Sequence, residues 1–147
     1  MNTKNLIYAS LIGAAVSLLV NNIPFINFIN CLLCVGFWGS ALLAVYIYKR
    51  MTGEVTLSQA IWVGVLTGVF AGVFGYLLSF AGVTGLSGIL NNYRAILPPE
   101  WIGDVDMNLG TLELAIFNIG GIFVDIFFGA IGGLIGGLIF RPKTQAA

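Results

Sequence analysis

Four long apolar runs, at about residues 5–22, 28–48, 57–83 and 112–140, constrain what this chain can become. The hydrocarbon core of a bilayer is crossed by roughly 20 consecutive apolar residues in a helix. The first run, Leu6 to Val20, is marginal and reaches that length only with Asn5 or Asn21. The last two exceed it, which predicts tilt or a bent end. Charge usage agrees. The 147 residues include only six basic and six acidic side chains, 8% of the chain, against a hydrophobic share of 59% and a mean hydropathy of +1.00. Soluble domains devote about a quarter of their residues to charge. The expected fold is therefore all-α: a polytopic membrane protein, a four-transmembrane-helix bundle forming one domain over residues 1–147, with the lipid bilayer as its surroundings. The first run could be read as a secretion signal begun by Lys4, but Asn21, Asn22 and Pro24 stand where a small-residue cleavage site would be needed, so a retained helix is expected.

Composition also excludes some partners. Net charge is zero and no basic cluster is larger than Lys49-Arg50, so nucleic acid is not an expected partner. The absence of histidine removes the usual haem, zinc and copper ligand and the usual neutral-pH proton shuttle. No cofactor is implied.

Four spans would put both termini and the middle loop on one side, with Lys4, Lys49, Arg50, Arg141 and Lys143, leaving Arg94 on the other. By the positive-inside rule the termini are expected in the cytoplasm. Tyr8, Tyr46, Tyr48 and Trp62 would mark the inner interface, and Phe25, Phe28, Tyr93 and Trp101 the outer one. Met51 to Val55 reads as a tight helical hairpin, followed by Thr56 and Gln59 at capping-box spacing. In the second outer loop, about 84–111, Leu86, Ile89, Leu90, Tyr93, Ile96 and Leu97 recur at helical spacing opposite Asn91, Asn92 and Arg94. That pattern predicts a short amphipathic interfacial helix ended by Pro98-Pro99.

Small residues recur at helical steps. Gly64, Gly68 and Gly72 form successive GxxxG steps in the third span, and Gly121, Gly129, Gly132, Gly133, Gly136 and Gly137 fall in the fourth. Such faces let backbones approach closely in lipid. They would serve either packing of the third and fourth spans within one subunit or association with a second subunit. Glycine stripes with an acid in the span loosely resemble the rotor proteolipids of rotary ATPases.

Asp125 lies deep in the fourth span, where an acid costs a few kcal/mol on insertion scales. Every basic residue maps to a span end or a loop. The acid is then expected to be protonated, hydrogen-bonded or facing a wet cavity. Asn118, Gly121, Asp125, Gly129, Gly132 and Gly136 are expected to share a protein-facing side, with Thr67, Ser40 and Ser17 as candidate partners. Asp125, assisted by Asn118, would carry a proton or cation, or else clip helices together. Glu113 falls near the outer end of the same span.

Cys31 and Cys34 form a CxxC at the outer start of the second span. An oxidising compartment would permit a disulfide there, and two apolar thiols packing in lipid is the alternative. Without histidine the pair supplies half a zinc site, so no metal is expected there. Cys31-Leu32-Leu33-Cys34 and the topology are similar to the quinone-linked disulfide-generating membrane proteins. Those proteins carry a second cysteine pair in the second outer loop and an arginine shortly after the CxxC. This chain has no cysteine in that loop and reads Val35-Gly36-Phe37-Trp38 after the pair.

Asp104, Asp106 and Asn108 have the spacing that opens a calcium loop, but Leu109 and Ala115 occupy the positions of the EF-hand glycine and glutamate. A looser outer-face calcium site is one reading. An acidic lead-in to the fourth helix is the other.

The stretch Asn22 to Cys34, the run Ala41 to Arg50, Thr52-Gly53 and the glycine-stepped third span together resemble small bacterial membrane proteins with a proline, Asn-Cys-x-x-Cys, Ala-x-Tyr-x-Tyr-basic, Thr-Gly pattern, over roughly residues 10–80. The resemblance implies a bacterial inner-membrane location and brings no activity. The leading expectation is a non-enzymatic membrane subunit that forms a homo-oligomer or joins a larger complex through glycine-rich faces. Ion movement at Asp125 and thiol-disulfide exchange at Cys31 and Cys34 are the alternatives.

Overall fold

The computed structural model describes residues 2–22, 35–80, 111–140 and 142. Those residues form four helices: α1 (Thr3–Asn22), α2 (Val35–Thr52), α3 (Leu57–Phe80) and α4 (Thr111–Phe140). Three of them are long and apolar enough to cross a membrane, over Thr3–Asn21, Leu57–Ser79 and Ile119–Phe140. The described part of α2 has 18 residues and ends in Lys49, Arg50, Met51 and Thr52. The expected interfacial helix lies outside the described residues, as do the residues that would extend α2 back to position 28.

Local chemistry sets the helix ends. Asn2 opens α1: its carbonyl accepts the Leu6 N–H at 3.1 Å and its side chain the Asn5 N–H at 3.5 Å. At the end of α2 the Gly53 N–H donates to the Lys49 carbonyl at 2.8 Å, and Gly53 takes φ +84°, the left-handed conformation that terminates helices. The capping box read from the sequence is present. The Thr56 N–H donates to Gln59 Oε1 at 3.0 Å, and the Gln59 N–H donates to Thr56 Oγ1 at 3.3 Å. Two first-turn donors that no carbonyl could reach are thereby satisfied.

Packing runs α1 on α2 and α3, α2 on α3, and α4 on α2 and most extensively on α3. The Asn5 side chain donates to the Met51 carbonyl at 3.4 Å, so the start of α1 sits beside the α2–α3 hairpin. Phe140, at the end of α4, packs its ring 5.6 Å from that of Tyr46, so this end joins them too. The core there is assembled from Leu6, Ala9, Ala44, Val45, Tyr48, Val55, Ala60 and Val63. Tyr48, expected among the interfacial aromatics, belongs to this core at 1% exposure. Tyr46, two positions earlier, is 38% exposed.

Polarity is inverted relative to a water-soluble fold. The interior is largely alanine, glycine, serine and valine, while Trp62, Leu77, Phe123, Phe127, Leu138 and Ile139 are exposed. Water-soluble monomers rarely leave so many large apolar side chains uncovered. Length, hydropathy and surface together are those of a membrane protein.

Candidate functional site at the crossing of α3 and α4

The third-span glycines meet the fourth helix backbone to backbone. A Cβ placed on Gly64 would fall on the carbonyl oxygen of Gly129, with the Gly133 Cα at 2.8 Å. One placed on Gly68 would fall on the carbonyl oxygen of Asp125, with the Ile126 Cα at 2.7 Å. At Gly72 the neighbours are the Ile122 Cα at 2.9 Å and the Asp125 carboxyl, Oδ2, at 3.2 Å. Positions descend on α4 as they climb on α3, so the two helices run antiparallel through this contact. Only hydrogen fits at these steps, which lets main chains touch and collect dispersion contacts along their length.

The α4 glycines divide between two neighbours. Gly129 and Gly133 face α3, and Gly137 meets Leu57 and Ala60 near its start. Gly132 instead lies against the Trp38 carbonyl and the Ala41 methyl of α2, and Gly136 against the Val45 side chain at 3.0 to 3.2 Å. Consecutive glycines at 132–133 and 136–137 thus allow one helix to approach two others at once. The aromatic pair Phe37 and Phe128, ring centroids 6.2 Å apart, extends the α2–α4 contact outward.

Asp125 projects beside Gly72 and is half-buried, on the α3-facing side of α4. Two of the three hydroxyls expected to meet it are committed elsewhere. Thr67 Oγ1 donates to the Val63 carbonyl at 2.7 Å, and Ser40 Oγ to the Phe37 carbonyl at 2.9 Å. Ser17 Oγ is buried and has no hydrogen-bond partner. Thr67 and Ser40 each use a carbonyl one turn back on their own helix, an acceptor that lies within reach of a helical serine or threonine. The described cations are remote: Lys49 lies over the Phe140 ring at 5.6 Å, roughly 22 Å of helix from Asp125.

Gly121 was expected on the same covered side as Asp125. It is instead exposed, as is Gly120, and no atom lies within 4 Å of a Cβ placed on either. Asp125 stands at the edge of the covered stripe, and four residues of helix rotate by about 40° beyond a full turn, enough to leave it. Of Asn118 only the backbone position, within α4, is described. Cys31, Cys34, Asp104, Asp106 and Asn108 lie outside the described residues. Among the described residues no group of three or more histidine, cysteine or acidic side chains could hold a metal.

One polar contact escaped the sequence reading: Ser10 Oγ of α1 donates to the Val63 carbonyl of α3 at 3.1 Å, inside the bundle. Its signal was present in the spacing of Ser10, Gly13, Ala14 and Ser17, a small-residue stripe that α2 and α3 cover.

The helices and their apolar exterior define the class, a helical protein with membrane-length spans. No protein-family model, curated protein or solved structure matches the chain.

Proposed function

We propose that the chain is a non-enzymatic multi-pass protein of the bacterial inner membrane, with four spans and cytoplasmic termini, that associates laterally with a second copy or with a larger membrane complex. The observation that carries this reading is the exposed outer half of α4. There Gly120 and Gly121 have open space where a Cβ would stand, between exposed Ile116, Ile119, Phe123 and Phe127. The glycines at 64, 68, 72, 129, 132, 133, 136 and 137 are already covered by this chain's own helices. Small residues left open on an apolar helix are the usual means of close contact between spans.

The fourth crossing is supported by α2, which buries Ser40, Ala41, Ala44, Val45 and Tyr48 within the bundle and continues the apolar run that begins near residue 28. The orientation is supported by Lys4, Lys49 and Arg50 lying at the same end of the bundle. The Asn-Cys-x-x-Cys resemblance supports the bacterial location.

Native mass spectrometry in mild detergent tests the association. The parent protein is expected as an oligomer or with a bound membrane partner, and Gly121→Leu as a folded monomer. A strictly monomeric parent with no partner would sink the reading.

The Asp125 carboxyl 3.2 Å from the Cβ position of Gly72 favours a second reading, proton or cation movement along the α3–α4 crossing. Ion flux in proteoliposomes should then vanish in Asp125→Asn while the helices stay folded. Equal flux in both proteins removes this reading.

A further inference from the structure

Among the described residues, one buried side-chain polar atom has no hydrogen-bond partner: the Ser17 hydroxyl oxygen of α1, in a residue 1% exposed. Native interiors rarely leave a buried hydroxyl unpaired, and an ion is one of the partners that accounts for such a group.

Close contacts fix the depth of Ser17. A Cβ placed on Gly13 would stand 3.0 Å from Thr67 Cγ2, and one placed on Gly75 would stand 3.6 Å from Leu18 Cδ2. α1 and α3 therefore run parallel, and Ser17 falls level with Ala71 and Gly72. The Asp125 carboxyl lies at Gly72, its Oδ2 3.2 Å from the Cβ position there. The two side chains share one depth.

Helical spacing fixes their direction. Gly13 fits between α2 and α3, against Ser40 and Ala44 on one side and Thr67 on the other, and Ser17 follows it by one turn on the same face. On α4, Asp125 stands one turn before Gly129, which faces α3, and two turns before Gly132, which faces α2. Its carboxyl thus meets the α2–α3 seam from the side opposite Ser17. At this depth the seam is built of small residues, buried Gly36 and Ala71. The described cations Lys4, Lys49 and Arg50 lie at the hairpin end of the bundle.

We propose that Ser17 and Asp125 bind a sodium ion between α1 and α4. Carboxylate and hydroxyl oxygens are hard donors that suit hard cations, and neither nitrogen nor sulfur is offered. A single carboxylate neutralises one positive charge. A divalent ion would leave an uncompensated charge inside the membrane, where such charge is costly. Water carried in with the ion completes its shell, entering on the side of half-buried Asp125. Ser17 then lacks a partner because its partner is the ligand. The inference deepens the second reading above and rests on it for the role of Asp125, adding the ion and a ligand from a second helix.

The test uses the purified full chain in mild detergent, with sodium chloride exchanged for choline chloride at constant ionic strength. Thermal unfolding and binding of radioactive sodium are followed together. Sodium is expected to raise the unfolding temperature by on the order of 5 °C, and Asp125→Asn to abolish both the rise and the bound sodium. Ser17→Ala is expected to weaken sodium affinity about tenfold, the weight of one charge-assisted contact, while unfolding in choline no earlier than the parent. Should Asp125→Asn fail to fold, Ser17→Ala decides the matter alone. A parent that neither binds sodium nor is stabilised by it overturns the proposal, as does Ser17→Ala with the parent's affinity. Sodium binding without flux in proteoliposomes supports the site and removes only the transport reading. Flux by a protein that binds no sodium overturns the site and leaves proton movement standing.

Discussion

A single methyl group added at Gly68 would have to displace main-chain atoms, because it would fall on the Asp125 carbonyl oxygen, with the carbonyl carbon and the Ile126 Cα each at 2.7 Å. Backbone cannot rotate away as a flexible side chain can, so Gly68→Ala must push α3 and α4 apart. Overpacking of this kind costs about 1–3 kcal/mol, with more where the helices separate along their length. Gly120→Ala is the contrasting case: the added methyl meets nothing within 4 Å, and alanine is favoured over glycine in a helix by about 1 kcal/mol. Equilibrium unfolding in mixed micelles should therefore rank Gly68→Ala below the parent and Gly120→Ala level with it or above. The reverse order would mean the α3–α4 contact is misassigned. Ser10 and Ser17 make a second pair. Ser10→Ala removes a bond to α3 and should cost about 0.6 kcal/mol, the average for such bonds between spans. Ser17→Ala removes a buried hydroxyl that has no partner and should be neutral or stabilising by up to about 1 kcal/mol in the same assay. At this scale the sequence was legible only in part. Spacing identifies Gly64, Gly68 and Gly72 as one face, but a face does not name its partner. Of the candidate Asp125 partners, Ser40 and Thr67 donate instead to carbonyls of their own helices, which no pattern of positions reveals.

Helix boundaries were far more legible than helix partners, because caps are local. Thr56 and Gln59 stand three residues apart and bond each other reciprocally, so the capping box is written in four consecutive positions. Gly53 likewise ends α2 through its own φ of +84°. Two substitutions test these devices separately. Thr56→Ala should lose about 1 kcal/mol and raise hydrogen exchange chiefly in the first turn of α3. Gly53→Ala keeps the caps but forces an L-residue into the left-handed region, costing about 1 kcal/mol or somewhat more, with its exchange signature at the end of α2. Protection unchanged at both sites would show that the hairpin is held by the packing of Tyr48 and Val55 in the core and not by its turn chemistry. The double-sided use of α4 was not legible. Paired glycines at 132–133 and 136–137 read as one broad stripe, and only the crossing of three helices shows that alternate members serve α2 and α3.

For the molecule as a whole, the decisive arrangement is that the start of α1, the α2–α3 hairpin and the end of α4 meet at one end of the bundle. Any bilayer that receives this bundle with its helices upright must hold those three points on one surface, and the chain between Phe80 and Thr111 must connect the other ends of α3 and α4. Lys4, Lys49 and Arg50 resist translocation, so that common surface is expected to be cytoplasmic. Single cysteines at Thr3, Gly53 and Pro142, in a chain with Cys31 and Cys34 replaced by serine, should resist a membrane-impermeant thiol reagent in intact cells and react once the cells are opened. A cysteine at Asn91, between α3 and α4, should react in intact cells. Labelling of the hairpin position from outside would reverse the orientation. Opposite behaviour of positions 3 and 53 would be the more serious outcome, because it would require an odd number of crossings between them and could not coexist with the Asn5–Met51 hydrogen bond that ties α1 to the hairpin.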